Sequence, residues 1–226
     1  MKALFTDDMN YSEKQVRIIK LLLDKPYLQK DLAQRLGISG AGLLYHLKKL
    51  ENEELITKNT KIQVGNVKIK EISININGLQ RARKIAGIEK KEWTLISGFG
   101  KDSQLGKPFK LPSIAKQLLT DHGYKISKIV AFITPESNIN AAKELETIDR
   151  VITYNYVDYR NGDSELMNKL EFFLQEEQKI ADLIIDLTPL TKLLTLKLLE
   201  LSYKFKIPSF YLGKKKNDDD YLMWII

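Results

Sequence analysis

Two groups of residues in this 226-residue chain have the types and spacing to do chemistry. The first is Tyr45, His46, Lys48 and Lys49, joined further along by Lys61, Lys68 and Lys70. Lysines beside a phenol and an imidazole suit the phosphates of a nucleic acid, which take their contacts from such side chains. For His46 a plain polar surface position is the equal alternative. The second group is Asp186-Leu-Thr-Pro-Leu-Thr-Lys192. Thr188, Thr191 and Lys192 offer hydroxyls, backbone N–H groups and a cation where a helix should begin, which suits a phosphate group. Simple helix capping by Thr188 would use the same residues. Two more loops, Gly98-Phe99-Gly100-Lys101-Asp102 and Thr134-Pro135-Glu136, follow apolar runs in the same way.

Several chemistries are excluded at this level. The chain has no cysteine and two widely separated histidines, so no thiol nucleophile, disulfide framework or histidine metal site is expected. No histidine or paired carboxylate sits in the three loops to act as a general base, so binding rather than catalysis is expected. The glycine loop carries Ser103 where a dinucleotide fingerprint needs its third glycine, and no Walker A sequence occurs. No resident cofactor or metal is expected. No apolar run approaches the ~18 residues that span a bilayer. Met1 to Phe5 runs into Asp7-Asp8 without the apolar core of a signal peptide, so the expected location is the cytoplasm, away from any membrane.

Elements must position these residues. Ser12 with Gln15 forms a capping box, opening a helix whose Val16, Ile19, Leu22 and Leu23 face inward and which Pro26 ends. Leu28, Leu32 and Leu36 form the stripe of a second helix, stopped by Gly37. Ser39 caps a third, with Leu43, Leu47 and Leu50 inside. Leu55-Ile56 closes that core. The stretch Lys61 to Lys70 alternates apolar and polar residues about Gly65-Asn66, a two-residue hairpin loop. The three-residue gap between Ile69 and Ile72 places a bulge near Lys70-Glu71. Three helices followed by a basic hairpin predict a winged helix-turn-helix, which sets its third helix in the major groove of double-stranded DNA.

At the N-terminal end of that reading helix stand Ser39, Gly40, Ala41 and Gly42, none able to make a bidentate purine contact. Ala41 could touch a thymine methyl. Backbone contacts and DNA shape should therefore dominate, with Tyr45, His46, Lys48 and Lys49 on phosphates and Lys61, Lys68 and Lys70 acting from the wing. Charge is placed accordingly. Residues 1–90 carry 17 Lys+Arg against 10 Asp+Glu, whereas 91–226 carry 19 against 19, so the whole net charge of +7 belongs to the first part.

Residues 1–76 are expected to form this DNA-binding domain, and 77–91 a connector. There Asn77 would cap a helix from Leu79 to Ala86 with Leu79, Ala82 and Ile85 on one side. From Trp93 onward strands and helices alternate. Strands are expected at 93–97, 128–133, 150–154, 183–186, 209–212 and 221–226, and helices at 113–122, 138–146, 164–177 and 190–205. Continuously apolar strands between helices predict a mainly parallel sheet covered on both faces over 92–226, with an antiparallel hairpin at one edge. Ligands bind such sheets beyond the carboxyl ends of the strands.

The segment 10–76 resembles the winged-helix domains of ArsR-like and MarR-like regulators, through Ser39 and the run Tyr45-His-Leu-Lys-Lys-Leu-Glu51. The run Leu183-Ile-Ile-Asp-Leu-Thr-Pro-Leu-Thr-Lys192, with the strand and glycine loop at Trp93–Gly100, resembles the CRISPR-associated Rossmann fold (CARF) signature. That resemblance implies a homodimer with a shared pocket for a cyclic oligoadenylate, usually cyclic tetra-adenylate. Gly98, Phe99, Gly100, Lys101, Thr134, Asp186, Thr188, Thr191 and Lys192 would line it. The family has two glycines where Pro189-Leu190 stand here, and those glycines let backbone approach the ligand. The combination implies a regulator of CRISPR-Cas or antiviral-defence genes. The alternatives are a ring nuclease acting on the same ligand and an NADH-sensing winged-helix/Rossmann repressor.

Overall fold

The computed structural model describes residues 11–64, 67–98, 111–133, 148–154, 163–215 and 219–226. The chain divides into two compact units, with the boundary in sequence between Glu89 and Lys90.

The first unit opens with α1 (Glu13–Asp24), capped by Ser12 through the full capping box with Gln15. Ile18, Ile19 and Leu22 are buried, while Val16 and Leu23 lie at the margin of the core. A short strand β1 (Tyr27–Leu28) follows, then α2 (Gln29–Leu36) and α3 (Gly40–Asn52). Leu28 is thus not part of the helical stripe. It is the extended residue before α2, in a strand paired with the hairpin at Glu71. Gly37 takes the left-handed conformation (φ 64°) that ends α2, and Ser39 Oγ accepts from Gly42 N at 3.1 Å to start α3. Leu32, Leu43, Leu47, Leu50, Leu55 and Ile56 close the core.

Strands β2 (Ile56–Val64) and β3 (Val67–Ile74) form the hairpin, with Val64 opposite Val67. The turn at Gly65-Asn66 lies outside the described residues. The bulge is on the other strand from the expected one. Register slips between Thr60 and Ile62, so Lys61 is the extra residue, opposite Lys70 and Ile69. Strand β3 continues unbroken, and the gap after Ile69 arises because Ile69 faces solvent while Ile72 is buried.

A single 3₁₀ turn at Ile76–Gly78, capped by Asn75 rather than Asn77, leads into α4 (Leu79–Ala86), which Gly87 ends at φ 66°. Ala82 and Ala86 belong to the first unit's core and Ile85 packs against it, so the expected boundary at 76 falls inside this unit. Leu79 is only half-buried, and Gln80 and Arg83 are buried on this helix.

The second unit comprises β4 (Trp93–Gly98), α5 (Leu111–Asp121), β5 (Ile126–Ile133), β6 (Arg150–Thr153), α6 (Asp163–Ile180), β7 (Asp182–Asp186), α7 (Lys192–Phe205), β8 (Ser209–Lys214) and β9 (Asp220–Trp224). The expected helix at 138–146 lies outside the described residues. The sheet order is β6-β5-β4-β7-β8-β9, parallel except for β9, which pairs antiparallel with β8. Alternate strand residues face opposite layers. Leu95, Ile129 and Ile184 pack with Leu111, Ala115 and Leu119 of α5. Ile96, Leu183 and Ile185 pack with Leu170 and Leu174 of α6 and with Leu194, Leu198 and Leu201 of α7. Helices therefore cover both faces of a mixed sheet.

Candidate functional site

Helix α3 buries Leu43, Leu47 and Leu50, and this turns Ala41, Leu44, Tyr45, Lys48, Lys49 and Asn52 outward. Tyr45 is 76% exposed and Leu44 48%. A shallow groove along the helix is lined by Tyr45, Lys48, Lys49, Asn52 and Glu53. Gly40 has nothing within 4 Å of where a Cβ would stand, so the helix tip is open to close approach. The expected reading surface thus keeps Ser39, Gly40, Ala41, Tyr45, Lys48 and Lys49 on one accessible side.

Two expected contacts sit differently. His46 is half-buried, with its ring against the edge of Tyr45 at 5.4 Å and its Nδ1 buried without a hydrogen-bond partner. Lys61, the bulge residue, is ion-paired with Glu71 across the hairpin. Lys68 and Lys70 are exposed on β3.

A cluster that the sequence did not reveal fixes the far end of α3. The Tyr11 hydroxyl donates to the Glu53 carboxylate, and Arg81 of α4 donates to Tyr11 Oη at 2.9 Å and to the Glu53 carbonyl at 3.2 Å. Lys49 Nζ lies 5.4 Å from the centre of the Tyr11 ring, a cation–π distance. Lys58 pairs with Glu51, tying β2 to the same helix.

In the second unit the chain moves from β4 to β5 and β6 on one side, then returns to β7 on the other. The order of strands therefore reverses between β4 and β7, the position where open α/β sheets bind ligands. Ser97 and Asp186 stand there at adjacent strand ends. Asp186 is fully buried; its Oδ2 accepts from Ser97 Oγ at 3.0 Å and its Oδ1 from Thr188 N at 2.9 Å. Burial pushes its carboxyl up to about 6, against the lowering effect of the hydrogen bonds from Thr188 and Ser97. Burial also raises the Tyr211 phenol, helped by the Asp186 charge.

The threonines have internal partners. Thr188 Oγ1 accepts from Leu212 N at 2.6 Å, which ties the loop to β8 and makes Thr188 a strand clamp rather than the helix cap. Thr191 is the cap of α7, and its hydroxyl accepts from Tyr154 Oη at 3.0 Å. Lys192 is exposed in the first turn. Leu190 lies directly over Gly98. A Cβ on Gly98 would stand 2.7 Å from Leu190 Cδ2 and 2.7 Å from the Phe132 carbonyl oxygen. The space that glycine leaves at the end of β4 is thus filled by this leucine. Phe99, Gly100, Lys101 and Thr134 lie outside the described residues.

An apolar cleft of about 160 Å³ opens beside the ends of β5 and β6, walled by Phe132, Ile152, Tyr154, Leu166, Phe173 and Leu194. Among the described residues no cluster of His, Asp or Glu could hold a metal ion, and no helix is long and apolar enough to cross a membrane.

Residues 12–57 match the family described as winged helix-turn-helix DNA-binding. Among solved structures the chain is similar to Lactococcus lactis ZitR in complex with DNA, at 24% identity over 38% of this chain and 56% of that one, with a TM-score of 0.29. It is also similar to reduced HlyU from Vibrio cholerae, at 19% identity over 34% and 70% of the two chains (TM-score 0.27). The adhesin competence repressor AdcR from Streptococcus pyogenes follows at 16% identity over 62% and 75% (TM-score 0.30). ZitR is described elsewhere as a zinc-responsive MarR family member. The chain spans about half the length of the ZitR–DNA structures it matches. A comparison with curated protein sequences found no match. From its three helices, its hairpin wing and the family match over 12–57, the first unit is a winged helix-turn-helix DNA-binding domain.

Proposed function

We propose that this chain is a dimeric transcription regulator that holds double-stranded DNA mainly through its phosphate backbone and takes its signal from a nucleotide bound to the second unit. The observation that carries the DNA half is the outward stripe of α3, where exposed Tyr45, Lys48 and Lys49 follow an open, glycine-containing tip. Phosphate contacts of this kind position a protein on the duplex without reading sequence.

The ligand half rests on the strand reversal between β4 and β7, on Ser97 and Asp186 beside it, and on the CARF-like run 183–192. The ligand class that run implies is a cyclic oligoadenylate, cyclic tetra-adenylate first, and the regulated genes would be those of CRISPR-Cas or antiviral defence. Phosphate would meet the start of α7 at Thr191 and Lys192, with Gly98 and Thr188 beside it. Entry over Gly98 requires Leu190 to move aside, and that movement is the differential contact by which a ligand would bias one dimer geometry over another. The protein acts in this reading by binding, not by catalysis. NADH is the second candidate, because the strand order is the one on which dinucleotides are commonly bound.

The test is a fluorescence-anisotropy titration of duplex DNA with the full chain, repeated with cyclic tetra-adenylate, cyclic hexa-adenylate and NADH. A change in DNA affinity with a cyclic oligoadenylate is the expected result. A response to NADH alone would replace that ligand. DNA binding indifferent to all three would remove the ligand half and leave the DNA half standing.

A further inference from the structure

Leu44 is an anomaly on the outward side of α3. It is a large apolar side chain, 48% exposed, on a helix whose other apolar positions nearby are fully buried at Leu43, Leu47 and Leu50. It stands three residues after Ala41 and four before Lys48, and all three are exposed. On a helix this spacing makes one continuous stripe, with Tyr45 beside it. The stripe is therefore apolar toward the helix tip and cationic one turn further on.

No Arg, Lys, Asn or Gln occurs from Ser39 to Leu47, so this part of the helix has none of the side chains that pair bidentately with guanine or adenine edges. The major groove offers one feature that an apolar side chain can recognise, the C5-methyl group of thymine. The lysine at the end of the stripe matches the phosphates that border the groove, which fits a nucleic acid better than an apolar protein surface.

We propose that Leu44, together with Ala41, reads thymine C5-methyl groups, so that the preferred partner is DNA presenting those methyls in the major groove. The proposal rests on the DNA-binding reading above. Covering one methyl is equivalent to about 0.8 kcal/mol, or roughly a fourfold change in affinity. The selectivity is modest and is set by groove methyls rather than by hydrogen-bond readout.

The experiment compares two duplexes of equal length, alternating d(AT) and alternating d(AU), which carry the same charge and the same minor-groove groups and differ in the methyl. The full chain is expected to bind d(AT) more tightly by about fourfold for each methyl covered. Leu44→Ala should abolish most of that difference, bringing the ratio of d(AT) to d(AU) affinity close to one, and since the residue is exposed its loss leaves the core intact. Equal affinity for the two duplexes, with both bound, overturns the proposal and spares the DNA-binding reading. A preference for d(AT) that survives Leu44→Ala overturns the assignment to Leu44. Failure to bind either duplex overturns both readings. Should Leu44→Ala instead change the sedimentation of the DNA-free protein, Leu44 belongs to an interface between copies and the proposal falls.

Discussion

Lys48 stands on the exposed stripe of α3 beside Tyr45, the surface proposed above to meet DNA phosphates. Its replacement by alanine should weaken binding about equally on all duplexes and flatten the salt dependence by about one counterion, as measured by affinity at several ionic strengths. A change confined to one sequence would instead place Lys48 on a base. Asp186 gives a second prediction. Its folded carboxyl is raised to about 6 by burial, above the ordinary carboxylate value. A raised value favours the protonated form in the folded state, so this contribution is present below about pH 4 and is lost as pH rises through 6. The amount is on the order of 3 kcal/mol. Asp186→Asn keeps an acceptor for Thr188 N and a polar partner for Ser97, so the variant should lose this pH slope and melt no lower than the parent at pH 8. Urea midpoints across pH 4 to 8 check it. A lower midpoint at pH 8 would mean that the charge itself is required. At this scale the exposed lysines were legible because charge at helical spacing needs no partner to be read. The Tyr11–Glu53–Arg81 cluster was not, since its members stand 42 and 70 residues from Tyr11 and only the fold brings them together.

Among the elements, the helices followed from local chemistry. The capping box at Ser12, the left-handed Gly37 and the cap at Ser39 each satisfy backbone groups within a few residues, so composition fixes them. The two-residue strand β1 was hidden because it exists only through its pairing with Ile72 and Glu71 of β3. The bulge was assigned to the wrong strand for a related reason. Spacing in one strand cannot reveal an extra residue in its neighbour, and Lys61 is that residue. Gly98 was legible only as part of a candidate ligand loop, and neither its tight packing nor its neighbour Leu190 could be read from the sequence. Gly98→Ala would drive a methyl into the Phe132 carbonyl oxygen and Leu190, both 2.7 Å away, and should destabilise the second unit by about 1–3 kcal/mol. Adding Leu190→Ala should recover only part of that loss, because the carbonyl remains. Full recovery in chemical denaturation would show that the leucine alone sets the limit.

For the whole molecule, the charge is divided unevenly along the chain. All of the excess positive charge lies in residues 1–90, which hold the winged helix, and the remainder of the chain is balanced. That asymmetry was readable in composition, as was the alternation of strands and helices after Trp93. The strand order was not, because which strands pair is a long-range choice that local patterns do not encode. A ligand that binds the folded second unit at about 100 times its Kd should raise stability by about 2.7 kcal/mol, visible in the melting midpoint. The claim on which the rest depends is that the first unit binds DNA through phosphates. It is tested most directly by titrating a labelled duplex with the full chain between about 50 and 200 mM salt. The expected result is binding whose log affinity falls linearly with log salt, with a shallower slope for Lys48→Ala. Absence of binding, or an affinity indifferent to salt, would contradict it.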